Sequence, residues 1–194
     1  SQTGSDRAKT LLRLGEMYED RLDDLDRASA KYTLALVVEP RELTALKGLE
    51  RIHSRRGNFE ALLGNLRAQV EQAATPKQRI GLLERIGLIQ EEEFVDHAGA
   101  AQSFEDIITI DAGHEAANAA LVRLYRHLQR FEDVVEALDR HAASAVDEER
   151  KVELLLHAGR VLTVEIGSPE RATEMYERVL AVNPEHVGAL DEVA

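Results

Sequence analysis

The 194-residue chain has no cysteine and no tryptophan, only four prolines, and 4% aromatic residues. Without cysteine there can be no disulfide framework and no thiolate metal site. No apolar run approaches the roughly 20 residues that a membrane helix needs, and no secretory leader is visible; both favour a cytoplasmic location and exclude membrane insertion. No stretch alternates polar and apolar residues over a useful length, so no strands are expected. Positive charge is also scarce: 24 Lys and Arg stand against 36 Asp and Glu, a net charge of -12. A chain of that sign repels phosphate backbones, which argues against nucleic acid as the main partner.

Chemical motifs are missing as well. No phosphate loop, dinucleotide fingerprint or Ser–His–Asp constellation can be read. His53, His127 and His157 lack ligand spacing with a matching carboxylate, and the run Glu91-Glu92-Glu93 lacks the looped oxygens and turn glycine of a calcium site. No cofactor, no metal and no enzymatic activity are expected. Gly64 and Gly81, isolated inside helical stretches, read as allowing close helix packing rather than as phosphate ligands.

What the chain does have is repetition. Gly15, Gly87 and Gly159 recur at 72-residue intervals. The same offset carries Leu11 onto Leu83 and Leu155, Ala28 onto Ala100 and Ala172, and Tyr32 onto Phe104 and Tyr176. Such agreement in register marks internal duplication. Each period divides again into two helical hairpins of about 35 residues. Leu11, Leu14, Gly15 and Tyr18 share one helical face, Ala28, Tyr32 and Ala35 the next, then Leu46, Leu49 and Ile52, then Phe59, Leu62 and Leu66.

The breakers fit this division. Thr75-Pro76 and Ser168-Pro169 place a capping hydroxyl before a proline at the first helical position, and Gln78 completes a capping box with Thr75. Asn58 and Asp147 read as N-caps, while Glu39-Pro40 and Asn183-Pro184 stop one helix and start another. The expected helices are 6–20, 25–38, 41–56, 59–73, 76–93, 97–110, 114–129, 131–145, 148–166, 169–182 and 185–194. One hairpin cannot bury its own apolar faces, but stacked hairpins can, in a superhelix with one concave side.

Leu11, Leu14, Gly15, Tyr18, Ala28, Tyr32, Ala35 and Pro40 resemble the tetratricopeptide repeat, as do Leu46, Leu49, His53, Gly57, Phe59 and Leu62. The resemblance runs from about Arg7 to the end of the chain. It departs from the simple pattern in one regular way. Successive inner turns, Tyr18 to Ala28, His53 to Leu62, Gln90 to Ala100, Tyr125 to Val134 and Leu162 to Ala172, alternate between ten and nine residues. The repeating unit is therefore a pair of hairpins.

The resemblance implies an all-α fold: a right-handed superhelical solenoid of about five and a half hairpins. It would form one domain over 1–194, with paired repeats at 6–75, 76–147 and an incomplete 148–194. The register places Ala194 inside the first helix of a sixth hairpin, so a longer array is expected, with an uncapped end available for self-association.

The resemblance also implies a function: a scaffold that binds a partner protein or peptide on the concave face formed by the first helix of each hairpin. The residues it places there are Glu16 and Glu19; Lys47, Arg51 and Arg55; Glu84, Leu88 and Glu91; Arg123 and Arg126; and Arg160. Their charge is acidic, basic, acidic and basic through the first four hairpins and mixed in the fifth. A partner bearing both signs would fit it, and so would neighbouring helices pairing these charges with one another. Tetratricopeptide domains that clamp acidic chaperone tails use Lys and Asn at such places. Here Glu16, Arg51, Leu88, Arg123 and Arg160 stand there, and no asparagine does, which counts against that ligand. A regulatory arm of a larger enzyme and a self-assembling array remain as alternatives.

Overall fold

The computed structural model describes residues 2–193. Eleven helices follow one another among them, with no strand: α1 (Gln2–Asp20), α2 (Leu25–Val38), α3 (Leu43–Arg55), α4 (Phe59–Val70), α5 (Pro76–Glu92), α6 (His97–Ile110), α7 (Glu115–His127), α8 (Phe131–Ser144), α9 (Glu148–Val161), α10 (Pro169–Val182) and α11 (Val187–Val193). Residue 194, included in the last expected helix, lies outside the described residues. No helix among those described is long and apolar enough to cross a membrane.

The chain divides into two compact units, 1–89 and 90–194, and the division falls within α5. In unit 1, α1 packs on α2, α2 on α3 and α3 on α4. Ala28, Tyr32, Ala35, Ala45, Leu49 and Ile52 form one core cluster, and Leu62, Leu63, Leu66 and Ile86 a second. In unit 2, α6 to α11 pack each on the next. Phe104, Leu121, Leu124, Leu138, Leu155 and Tyr176 are buried there.

Small residues set how closely the helices approach. A Cβ added to Gly15 would lie 2.6 Å from Cε1 of Tyr32, and one added to Gly48 would lie 2.5 Å from its Cε2. The buried Tyr32 ring is thus wedged between α1 and α3. Gly159 meets Tyr176 in the same way, at 2.5 Å. Gly64 and Gly81 behave differently: nothing lies within 4 Å of an added Cβ at either position. The packing role expected for them is therefore incorrect, because their helices turn these positions toward open space.

The two inner-turn lengths have a backbone explanation. In the nine-residue turns the N-cap amide of the second helix closes on the carbonyl five residues back, Asn58 N–H to His53 (2.9 Å) and Arg130 N–H to Tyr125 (2.9 Å). In the ten-residue turns the closure is one residue wider: Asp24 to Tyr18, Asp96 to Gln90 and Ser168 to Leu162, each at 2.8 Å. The third of these follows a π-helical turn, Leu162–Ile166, where a continuous α-helix was expected. In every inner turn the residue before the N-cap is left-handed: Asp23, Gly57, Val95, Gln129 and Gly167.

Helix ends correct the sequence expectations in a few places. Asn58 and Asp147 do cap α4 and α9. Thr75 Oγ1 accepts from Gln78 N–H at 3.2 Å, but the Gln78 side chain reaches the amide of Ala74 rather than that of Thr75. Ser168 makes no side-chain cap bond. The starts expected at 41, 114 and 185 come late. A turn from Glu39 to Glu42, Asp111 to His114 and Asn183 to His186 precedes each helix, and Glu42, His114 and His186 act as caps. The expectation for α1 was too short, since it starts at Gln2 rather than residue 6. α3, α4, α5, α7 and α8 end one to three residues before their expected limits.

Candidate functional site: the first-helix face

The first helices of the hairpins are α1, α3 and α5 in unit 1, and α7 and α9 in unit 2. Several of these charges meet each other, one of the two readings that their alternation allows. Glu19 on α1 is buried, and its carboxylate takes Arg51 Nε (2.8 Å) and Nη2 (2.7 Å) from α3 and the Tyr32 hydroxyl (2.8 Å) from α2. The Arg51 guanidinium holds the Glu19 carboxyl below the usual carboxylate range, against the opposing effect of burial. Burial and the Glu19 charge push the Tyr32 phenol up. One period later, Glu91 and Arg123 form the same two-pronged pair. Arg55 binds Asp23 at 2.9 Å. Four of the eleven expected site residues thus tie neighbouring hairpins together, and a fifth, Arg55, spends its guanidinium on the turn before α2.

The remaining candidates point elsewhere. Glu16 is exposed on α1, Glu84 is half-buried on α5, and Leu88 is exposed on α5. Lys47 is exposed on α3 and lines a cavity of about 540 Å³ within unit 1. Its walls come from α3, the end of α4 and the start of α5. The floor is apolar, with Leu43, Ala73, Gly81 and Leu82; the rim is basic, with Lys47, Arg51, Lys77 and Arg85. Glu50 is the one carboxylate in the lining, and it is already taken by Arg85 Nη1 (2.6 Å) and Gln69 Nε2 (2.6 Å). Gln69 in turn bonds Asn65, whose amide is anchored on the Leu46 carbonyl. This polar network was not anticipated from the sequence. The only hint was a pair of amides, Asn65 and Gln69, on an otherwise apolar helical stripe.

Unit 2 has a cleft at the same register. Adding 72 to Glu50, Gln69 and Arg85 gives Val122, His141 and His157. Two adjoining cavities, of about 400 and 460 Å³, share Ala119, Val122 and His157. Arg126 lines the first and Arg160 the second. Arg126 Nη2 donates to His157 Nε2 at 2.8 Å, which requires that ring nitrogen to be unprotonated. Burial holds the His157 imidazole below its usual range, and Arg126 and Arg160 push it further the same way. No group of His, Asp and Glu among the described residues could hold a metal ion.

Residues 89–160, one full period of the repeat, match the family model described as tetratricopeptide repeat. No curated protein matches the sequence. Among solved structures, the chain is similar to one in the structure of Naa15/Naa10 bound to HypK-THB, with a TM-score of 0.51 and 16% identity over 92% of this chain and 27% of that one. It is also similar to YrrB, described as a TPR protein with an unusual peptide-binding site (TM-score 0.48, 13% identity, 93% of this chain and 89% of that one). A third likeness is to MamA (TM-score 0.49, 14% identity, 95% and 96%). The family match and the 72-residue duplication of helical hairpins make this chain a tetratricopeptide-like helical repeat array, the fold of a protein-interaction scaffold.

Proposed function

We propose that the chain is a non-catalytic scaffold that takes a linear peptide or a helix of a partner protein against its first-helix face. One observation carries this reading. The cleft between consecutive first helices and the intervening second helix recurs at the same register in both units, each time lined by apolar and basic side chains with one carboxylate, Glu50 or Glu153. A cavity of that kind suits an apolar side chain beside a polar or acidic one. Among the eleven residues first expected to bind, Lys47, Arg126 and Arg160 lack a carboxylate partner and are the ones we assign to recognition. Glu19, Arg51, Glu91 and Arg123 are assigned to holding the hairpins. We also propose that the two units are consecutive parts of one repeat array.

Gly81 supplies the test. It lines the unit 1 cavity, and a Cβ added there has nothing within 4 Å, so Gly81→Leu projects its side chain into the cleft. Gly64 is equally open but lies outside the cleft, which makes Gly64→Leu the control. Peptides selected from a displayed 12-residue library against the wild-type chain should lose at least about tenfold in affinity for the first variant and keep it for the second. Equal binding to both would contradict the cleft reading.

A further inference from the structure

Gln69 on α4 is 4% exposed and lines the unit 1 cavity. Both hydrogens of its amide are taken: Nε2 donates to Glu50 Oε2 at 2.6 Å and to Asn65 Oδ1 at 2.8 Å. Asn65 is oriented in turn by its own donation to the Leu46 carbonyl at 2.9 Å. A reversed Gln69 amide would set its oxygen against the two oxygens that it now serves, so its orientation is fixed. That leaves Gln69 Oε1. It accepts no hydrogen bond among the described residues, yet it is not sealed away from solvent, and the cavity is where a donor reaches it. The Glu50 carboxylate beside it is occupied on both oxygens, by Arg85 and by Gln69. The repeat does not demand this chain of amides. One period later Asn65, Gln69, Glu50 and Arg85 become Ala137, His141, Val122 and His157, and α7 and α8 pack together all the same. The network is particular to unit 1, and it holds one acceptor ready above an apolar floor.

We infer that the unit 1 cavity receives a tryptophan side chain of the partner segment, with the indole N–H donating to Gln69 Oε1. The inference rests on the cleft being the binding site, and it names the side chain that enters there. Indole is a donor and never an acceptor, and the rest of it is apolar. It therefore matches an acceptor that has no free N–H beside it and an apolar floor below it. A phenylalanine or leucine in the same place would bury the Gln69 oxygen unsatisfied. Lys47 and Lys77 on the rim pair with no carboxylate among the described residues, and their ammonium groups suit the negative face of an aromatic ring. A second copy of the chain is not the occupant. It has no tryptophan; Tyr32, Tyr125 and Tyr176 are buried, and Tyr18 is half-buried with Arg27 over its ring.

The absence of tryptophan from the chain makes the test direct, because all indole emission comes from the probe. The probes are capped pentapeptides, acetyl-Gly-Ala-Trp-Ala-Gly-amide and a twin with 1-methyltryptophan, which keeps the ring and loses the N–H. Titrated with the intact chain, the tryptophan peptide should shift its emission to the blue in a saturable way. It should bind about tenfold or more tighter than the twin. Gln69→Met, close in length and without the acceptor, should bind the two alike. Gly64→Leu should keep the difference, and Gly81→Leu should abolish binding of both. No saturable binding by the wild type, equal binding of the two probes, or an undiminished difference in Gln69→Met overturns the inference. The wild-type comparison needs no variant, so misfolding of Gln69→Met cannot hide the answer. If the probes bind alike or not at all while library-selected peptides still lose affinity with Gly81→Leu, the indole reading fails and the scaffold reading stands.

Discussion

Arg51 reaches from α3 to the buried carboxylate of Glu19 on α1 with two nitrogens, at 2.7 and 2.8 Å. The family resemblance places both residues on the first-helix face, where a partner or mutual pairing would fit them, and here they bind each other. The Glu19 side chain is 5% exposed, so removing Arg51 leaves a buried charge held by the Tyr32 hydroxyl alone among the described residues. Because Arg51 itself is half exposed, the loss is moderate. Arg51→Ala should cost about 1–3 kcal/mol in urea unfolding. Lys47→Ala, one turn away and unpaired, should cost less than about 0.5 kcal/mol. Equal effects from the two would contradict the division between structural and recognition charges.

The ring of Tyr32 fills the space where two side chains would otherwise stand. Gly48→Ala should destabilise by about 1–3 kcal/mol, because its Cβ would meet a buried ring held on its other side by Gly15. Gly64→Ala, facing open space, should stabilise by up to about 1 kcal/mol through helix propensity. Thermal unfolding of the two variants side by side checks the sign of each.

Val95 is left-handed, with φ of 52°, and 67% exposed; Gly167 holds the same place one period later. A β-branched residue in that conformation is strained, and glycine relieves the strain at some cost in unfolded-state entropy. Val95→Gly should therefore raise stability by about 0.5–1 kcal/mol, read as a higher urea midpoint with an unchanged slope. A lower midpoint would mean that Val95 makes contacts that outweigh its backbone strain.

His53, His141 and His157 are all held below the ordinary imidazole value of 6.5, first by burial and then by Arg56, Arg150, and Arg126 with Arg160 respectively. A base with a lowered native pKa takes up fewer protons folded than unfolded below pH 6.5. Stability should accordingly fall as pH drops from 6.5 toward the native pKa values. Glu19, lowered from 4.5, adds a further loss as pH falls through its native value. Urea midpoints measured at pH 7.5 and 5.5 should differ, and His141→Leu should narrow the gap. An identical gap in that variant would remove His141 from the account.

Periodicity made the helices legible because apolar spacing along a helix is a local property. α2, α6 and α10 have the limits that their stripes and caps imply. The alternation of nine and ten residues was visible too, but its cause, a closing hydrogen bond one residue wider, depends on backbone geometry that residue types do not encode. The candidate site was legible only as a face. The spacing put Glu19, Arg51, Glu91 and Arg123 on first helices and allowed them either a partner or one another; the approach of consecutive first helices, which residue types do not encode, decides for pairing. Gly81 misled for the same reason. A glycine in a helix can face a neighbouring helix or a cavity, and only the fold decides which.

The most direct test of the scaffold claim is an amide NMR titration of the intact chain with a library-selected peptide. Saturable shifts should cluster on the first helices around the clefts, at Lys47, Gly81 and Arg85 in unit 1 or Ala119, Arg126 and Arg160 in unit 2. Shifts confined to the second helices α2, α4, α6, α8 and α10, with the cleft residues unmoved, would contradict it.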